Sequence, residues 1–146
     1  MRTLFEIGEV EKADAFVDNA FKTKRKIMGI GHRIYKTGDP RVVHIRKASL
    51  DLGQRGELKW FHILEEVERA VLKYRQLYTN VDFFSSTMLY YIGIPVDMFT
   101  PMFAASRIAG WSAHVIEQYY DNVLIRPQSE FIGSMDQHYV PIDERA

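Results

Sequence analysis

Apolar residues recur every three or four positions along most of the chain, which predicts a protein that is helical nearly throughout. We predict helices over residues 1–7, 12–21, 40–52 and 81–91, and a long one from about 97 to 120. The clearest amphipathic pattern is a row of five apolar residues, Phe61, Leu64, Val67, Val71 and Tyr74. The long last helix is rich in small residues, which would let another helix come close.

Glycine and proline mark the breaks between these helices. Gly29 and Gly31 interrupt regular structure and would let the backbone approach a ligand. Asp39 would cap the helix that starts with Pro40. The best domain boundary lies near residues 93–95, and residues 123–127 have an extended pattern.

The composition limits the possible functions. Nineteen basic and 19 acidic side chains give zero formal charge, so no global attraction to nucleic acid or to an anionic membrane is expected. Cysteine is absent, and the histidines lack the spacing of metal ligands, so we predict no metal site. We recognise no signal peptide and no apolar stretch near the ~20 residues that cross a bilayer, which predicts a soluble cytoplasmic protein.

Asp82 and His32 are the candidates for proton chemistry. Asp82 opens a largely apolar helix, where partial desolvation would make its carboxylate a stronger base; a helix cap or a merely exposed carboxylate is the commoner alternative. His32 follows two glycines and lies among lysines and arginines, a setting that favours the neutral imidazole. A neutral imidazole can donate one hydrogen bond to a developing oxyanion, whereas a purely structural histidine is the commoner case.

Three arginines are candidates for binding anions. Arg41 lies in the first turn after Asp39-Pro40, beside backbone amides that favour anions. Arg107 lies within the small-residue helix, where its charge needs a partner, either a ligand carboxylate or an acidic residue of another helix. Arg126 precedes Pro127 in the extended segment and could reach across to another surface.

These motifs, in this order, closely resemble the C-terminal part of citrate synthase. The resemblance extends from Met1 to about Gly133. Its strongest stretches are Met28 to Arg41, which includes Gly29-Ile30-Gly31-His32-Arg33, then Asn80 to Asp82, and Pro95 to Arg126.

The resemblance implies an all-α, citrate synthase-like helical fold, of which this chain holds an incomplete part. Residues 1–92 would form most of the small domain, which binds substrate and CoA. Residues 93–146 would form the end of the large, dimer-forming domain. The family is an acyltransferase of the tricarboxylic acid cycle and works as a homodimer. It joins acetyl-CoA to oxaloacetate and hydrolyses the thioester to give citrate, so acetyl-CoA is a substrate and no cofactor is expected.

The resemblance also implies a role for each candidate residue. Asp82 would remove a methyl proton from acetyl-CoA, and His32 would polarise the oxaloacetate carbonyl. Arg41 and Arg107 would hold oxaloacetate carboxylates, and Arg126 would reach that ligand from the partner subunit. CoA would contact Met28, Gly29, Ile30 and Gly31, with Lys36 as the best candidate for a phosphate contact and Arg33 a weaker one.

One departure from the family affects activity. The family's second catalytic histidine lies in a His-Gly-x-Ala-Asn loop, which would come just before Met1, and this sequence contains no such motif. We therefore expect a C-terminal fragment that is inactive, or nearly so, by itself. The helical pattern also starts at Met1 without a capping residue ahead of it, as in the middle of an element.

Two alternative functions stay open. The first is a 2-methylcitrate synthase that takes propionyl-CoA, since one methylene changes binding by only ~1–3 kcal/mol. The Gly31-His32-Arg33-Ile34-Tyr35-Lys36 sequence favours citrate. The second is a non-catalytic helical module that binds CoA or pairs with another chain.

Overall fold

The computed structural model describes residues 1–124 and 130–145. The described residues form six α-helices, in order α1 (Arg2–Ile7), α2 (Ala13–Lys22), α3 (Val42–Gly53), α4 (Lys59–Arg75), α5 (Val81–Tyr91) and α6 (Phe99–Tyr120). Short 3₁₀ turns cover Val10–Lys12, Val96–Met98 and Ile142–Glu144. Within these ranges extended pairing is limited to one bridge, between Ile30 and Thr79. The all-α prediction is confirmed, and α5 has the predicted bounds.

Helix α3 begins two residues later than predicted. The Arg41 N–H donates to Oδ1 of Asp39 at 3.0 Å, and the Val42 N–H donates to the Asp39 carbonyl at 3.0 Å. These bonds fold residues 39–41 into a turn that comes before the helix. Asp39 therefore closes a turn through its side chain, and Arg41 is the residue at the N-cap position.

The chain divides into two compact units, residues 1–106 and 107–146. The first unit contains a core made from the apolar faces of α1, α2, α4 and α5. Fully buried side chains at its centre include Phe61, Ile63, Val67, Val71 and Phe84. Four of the five apolar positions that predicted α4 belong to this core, because they recur on one face of that helix.

Helices α3 and α5 are joined by a buried polar contact. The Ser49 and Thr87 hydroxyls lie 2.7 Å apart, and both residues are fully buried. Thr87 also donates to the Phe84 carbonyl at 3.1 Å, so Thr87 accepts the hydrogen bond from Ser49. Buried hydroxyls need such partners because desolvation without one is costly.

The two tryptophans have opposite environments. Trp60, on α4, makes edge contacts with Phe5 and Tyr90 at ring-centre distances of 5.1 and 6.3 Å. Its Nε1 is buried and has no hydrogen-bond partner among the described residues. Trp111, on α6, is 47% exposed.

Helix α6 begins in the first unit and ends in the second, and none of its residues is buried. Ile108, Trp111, Val115 and Tyr119 repeat at helical spacing, and each is about half exposed or more. That the small residues of this helix let another helix come close stays a prediction. None of the described helices is long and apolar enough to span a membrane. The division at residues 92 and 93 stays a prediction.

We predict an asymmetric response at the Ser49–Thr87 contact. Thr87→Val keeps the side-chain shape but leaves the buried Ser49 hydroxyl without its acceptor, so unfolding should become easier by ~1–3 kcal/mol. Ser49→Ala should cost less, because Thr87 keeps its bond to Phe84. Adding Ser49→Ala to Thr87→Val should restore part of the lost stability. Urea unfolding of the three variants measures this, and a double variant less stable than Thr87→Val would contradict it.

Candidate functional site

The Gly29–Gly31 segment is hydrogen-bonded to the three residues before α5. Gly31 N–H donates to the Tyr78 carbonyl at 2.7 Å, and Asn80 N–H donates to the Gly29 carbonyl at 2.9 Å. The Asn80 side chain adds a third bond, from Nδ2 to the Gly31 carbonyl at 2.8 Å. We call this contact between residues 29–31 and 78–80 the glycine clamp. His32 directly follows the first segment of the clamp, residues 29–31, and Asp82 lies two residues after the second segment, residues 78–80.

Gly29 and Gly31 both have left-handed backbone conformations, with φ of 84° and 81°. A Cβ atom added to Gly29 would lie 2.9 Å from the Phe83 Cα, whereas one added to Gly31 would meet nothing within 4 Å. The sequence predicted that these glycines let the backbone approach a ligand. At Gly29 the close approach is instead to the chain itself, because α5 packs directly against that residue.

Asn80 is the N-cap of α5. Its Oδ1 accepts the Asp82 N–H at 3.0 Å, while the Nδ2 of the same amide contributes to the glycine clamp. The alternative in which Asp82 caps the helix is therefore wrong. Asp82 is the second residue of α5, and its side chain is exposed. The expected partial desolvation of Asp82 is absent in this chain, since the cavity beside it is open to solvent.

Asp82 lies on the wall of a cavity beside the clamp. This cavity measures about 650 Å³ and is formed by the end of α2, residues 24–30, the end of α4 and the start of α5. Its apolar lining includes Phe21, Ile27, Met28, Ile30 and Leu77. Met28, Gly29 and Ile30 are three of the residues predicted to contact CoA.

Four cations surround the same cavity: Lys24, Arg25, Lys26 and Arg75. Arg25 is paired with Glu6 through two bonds of 2.6 Å. Within residues 1–124 and 130–145, no acidic side chain pairs with Lys24, Lys26 or Arg75. The Arg75 guanidinium lies over the Phe21 ring, 5.6 Å from its centre. The cavity therefore combines apolar walls with cations that are available to a negatively charged ligand.

The hydrogen bonds of His32 indicate which ring nitrogen of the neutral imidazole carries the proton. Nδ1 accepts the backbone N–H groups of Ile34 and Tyr35 at 3.0 and 3.1 Å. An atom that accepts two N–H groups carries no proton, so the proton of the neutral ring is on Nε2. Nε2 is therefore the donor that His32 can offer to an oxyanion. The two backbone hydrogen bonds thus select the Nε2–H tautomer, and the role of His32 as a donor to an oxyanion stays a prediction.

Arg41 is held by the buried Asp39 carboxylate. Its Nε and Nη2 atoms donate to Asp39 at 2.9 and 2.7 Å, and Asp39 also accepts the Val81 N–H at 3.1 Å. The hydrogen bonds from Arg41 lower the pKa of Asp39 to about 2. The pKa of Arg41 is raised, chiefly by its side-chain hydrogen bonds to Asp39, and the charge of Asp82 adds a smaller contribution. Arg41 and Asp82 therefore interact electrostatically.

Tyr35 lies between His32 and Arg41. Its ring centre is 4.6 Å from that of His32 and 5.8 Å from the Arg41 guanidinium carbon. The structure thus connects His32, Tyr35, Arg41, Asp39 and the start of α5 in one continuous series of contacts.

Other predicted residues lie elsewhere. Lys36 does not line the cavity; its Nζ donates to the His32 carbonyl at 3.2 Å. Arg33 is exposed and also lies outside the cavity lining. Arg107 is an exposed residue of α6 in the second unit, and no acidic residue of the described part pairs with it. Arg126 lies outside the described residues. No group of metal ligands occurs in the part of the chain that the structure covers.

Sequence reasoning missed several residues of this region. Asp39 was assigned only as a cap, although a buried aspartate two residues before an arginine can hold that guanidinium. Tyr35 and Arg75 were not singled out, because their contacts join segments far apart in sequence. The run Lys24-Arg25-Lys26 was a usable signal for an anion site.

Comparison with known proteins identifies the family. The family model for the C-terminal domain of citrate synthase matches residues 1–128. Citrate synthase 2 of Bacillus subtilis is 46% identical over 147 aligned positions, which cover 100% of this chain and 40% of the relative. The 2-methylcitrate synthase 2 of Corynebacterium glutamicum is 41% identical and is matched over 99% of this chain and 38% of its own length.

A solved structure agrees with these matches. The crystal structure of citrate synthase from Thermotoga maritima has a TM-score of 0.76 and 44% identity, covering 99% of this chain and 40% of the other. The chain belongs to the citrate synthase family. It spans about 40% of the length of the Bacillus relative.

The glycine clamp leads to a paired prediction. Gly31→Ala should destabilise the fold by ~1–2 kcal/mol through left-handed strain alone. Gly29→Ala should lose that amount and a further ~1–3 kcal/mol, because its Cβ would collide with α5 at Phe83. Urea unfolding of the two variants provides the comparison, with Gly31→Ala as the matched control. Equal losses would show that Gly29 is not tightly packed against α5.

Proposed function

We propose that this chain provides part of the active site for joining acetyl-CoA to oxaloacetate. The observation that carries the proposal is the position of Asp82, which lies on a cavity wall together with Met28, Gly29 and Ile30 and with the cations Lys24, Lys26 and Arg75. Coenzyme A combines an adenine ring with several phosphate groups. An apolar cavity with a cationic rim suits both parts of that ligand.

In the proposed reaction Asp82 is the base. It takes a proton from the methyl group of acetyl-CoA, and the resulting enolate carbon attacks the ketone carbon of oxaloacetate. Water then cleaves the thioester and releases citrate and CoA. The thioester proton is a very weak acid, so the enolate oxygen must be stabilised while Asp82 acts. By resemblance, that task belongs to the histidine of the His-Gly-x-Ala-Asn loop, which this sequence does not contain.

His32 and the arginines would act on oxaloacetate. The Nε2–H of His32 would donate to the ketone oxygen as it gains negative charge. Arg41 would hold one carboxylate of oxaloacetate, and its two Nη atoms still have N–H groups that are not bound to Asp39. Arg107 would hold a carboxylate as well, and Arg126 would reach the ligand from the partner subunit of a homodimer. The exposed apolar face of α6 supports an assembly role for that helix.

Lys24, Lys26 and Arg75 are better placed for CoA phosphates than Lys36. They line the cavity that contains residues 28–30, whereas Lys36 is bonded to the His32 carbonyl. We therefore assign the CoA phosphates to Lys24, Lys26 and Arg75 instead of Lys36, and we keep Met28 to Gly31 as the predicted contacts of the adenine.

A 2-methylcitrate synthase is the second candidate, favoured by the 41% identity to the Corynebacterium enzyme. The two candidates differ by one methylene in the acyl group, so Asp82, His32 and Arg41 would act in the same way in both.

The other alternative is a non-catalytic module that binds CoA and self-associates. Such a module would bind CoA and have the mass of a dimer, but it would show no turnover, either alone or as part of a larger enzyme.

CoA binding can be tested on the 146-residue chain by calorimetric titration. Arg75→Ala should weaken CoA binding about tenfold, the effect of losing one hydrogen bond to a charged group. Lys47→Ala is the matched control, since Lys47 is an exposed cation of α3 outside the cavity lining. Loss of binding at high salt should accompany this result. Absence of CoA binding by the unsubstituted chain, or equal affinities of the two variants, would oppose the assignment.

Catalysis can be tested in a chimera in which this chain replaces the corresponding part of the Bacillus citrate synthase 2. The chimera should condense acetyl-CoA with oxaloacetate. Asp82→Asn should lower its kcat by ~10²–10⁴-fold, because the base is lost, with little change in either KM. Faster turnover of propionyl-CoA than of acetyl-CoA would favour the 2-methylcitrate alternative. A folded, dimeric chimera without turnover of either substrate would refute the catalytic proposal and support the non-catalytic module.

A further inference from the structure

Among the described residues, Asp39 is the only charged residue that is buried. Its carboxylate accepts four hydrogen bonds. Oδ1 accepts the Arg41 backbone N–H at 3.0 Å and Nε at 2.9 Å. Oδ2 accepts Arg41 Nη2 at 2.7 Å and the Val81 N–H at 3.1 Å. One buried carboxylate thus contacts both a candidate substrate-binding arginine and the first residue of the helix that carries the candidate base.

We propose that Asp39 is a positioning residue that couples the Arg41 guanidinium to the start of α5, and therefore to Asp82. The proposal rests on the proposed function for its catalytic consequence. Its structural part concerns only the contacts of Asp39 and can be tested separately.

The geometry at Arg41 explains how an arginine already paired with an aspartate can still bind a substrate. Asp39 takes the side of the guanidinium formed by Nε and Nη2. The opposite end, formed by Nη1 and the second N–H of Nη2, keeps two parallel donors for a ligand carboxylate. The same guanidinium lies over the Tyr35 ring, with its carbon 5.8 Å from the ring centre. Asp39 therefore fixes the direction in which the free end of Arg41 points.

The geometry at α5 fixes the backbone of Asp82. The first N–H groups of a helix have no partner within the helix. In α5 the Val81 N–H is accepted by Asp39, and the Asp82 N–H is accepted by Asn80. Both amides at the start of α5 are therefore held by side chains that also contact other parts of the site.

Asparagine at position 39 would break this arrangement in either orientation of its amide. Each carboxylate oxygen of Asp39 faces two donors, so an amide NH₂ in either place meets two N–H groups instead of accepting from them. Arg41→Gln differs, because it removes the guanidinium and leaves the Asp39–Val81 bond possible. Asp39→Asn therefore disturbs the contacts to both Arg41 and Val81, whereas Arg41→Gln disturbs only the contact to Arg41.

The first test uses NMR spectra of backbone amides and of arginine Nε–H groups in the 146-residue chain. With Asp39→Asn, the Nε–H signal of Arg41 and the amide signals of Val81 and Asp82 should all shift. The amide signals of Ser49 and Thr87 should not shift. Asp14→Asn is the matched control, since Asp14 pairs with Lys73 and Tyr74 outside this region. An unmoved Arg41 Nε–H signal, or an unmoved Val81 amide, in the Asp39→Asn spectrum would overturn the proposal.

The second test uses steady-state kinetics of the chimera. Asp39→Asn should raise the KM for oxaloacetate about tenfold or more, as expected for a misplaced charge-assisted contact, with the KM for acetyl-CoA nearly unchanged. Adding Asp39→Asn to Arg41→Gln should not raise the KM for oxaloacetate further, because Asp39 acts on that substrate through Arg41. Additive effects would overturn the proposal. An inactive unsubstituted chimera would count against the proposed function only, and the NMR result then decides the role of Asp39.

Discussion

The glycine clamp between residues 29–31 and 78–80 is the constraint on which the site depends. Three hydrogen bonds join two loop segments that are almost 50 positions apart, as the pair Gly31–Asn80 shows by its separation of 49. Secondary structure alone could not bring His32 and Asp82 into one region, because neither helix propensity nor periodicity acts over that distance. The clamp does so with backbone groups and the side chain of Asn80, and the side chains that follow it remain available for chemistry.

Charge is distributed locally in a chain whose formal total is zero. The cations at residues 24–26 and Arg75 face one cavity, and Arg41 is balanced by a buried aspartate. Such an arrangement attracts an anion at a chosen place without making the whole molecule basic. Asp82 is exposed in this chain, so the water-excluding surroundings that strengthen a carboxylate base are not formed by the described residues alone.

The helices were largely predictable and the contacts between loops were not. Helix α5 has the predicted bounds because Asn80 and the apolar residues after it act locally, through a cap and a buried face. The row of apolar residues on α4 predicted its core face for the same reason. The contacts of Asp39 could not be predicted in this way. Pro40 after it indicated a cap, but its bond to Val81 depends on a fold that brings residue 81 beside it. Gly29 is similar, since only the packed structure shows that Phe83 occupies the space beside it.

The contrasting positions of the two tryptophans have a practical consequence. Trp60 is in the first compact unit with its indole nitrogen shielded, whereas Trp111 is in the second unit and half exposed. An indole in apolar surroundings emits at shorter wavelength than one in water, so the two parts of the chain carry separate intrinsic fluorophores. Replacing either tryptophan by phenylalanine would leave one emission band, through which the melting of a single unit could be followed.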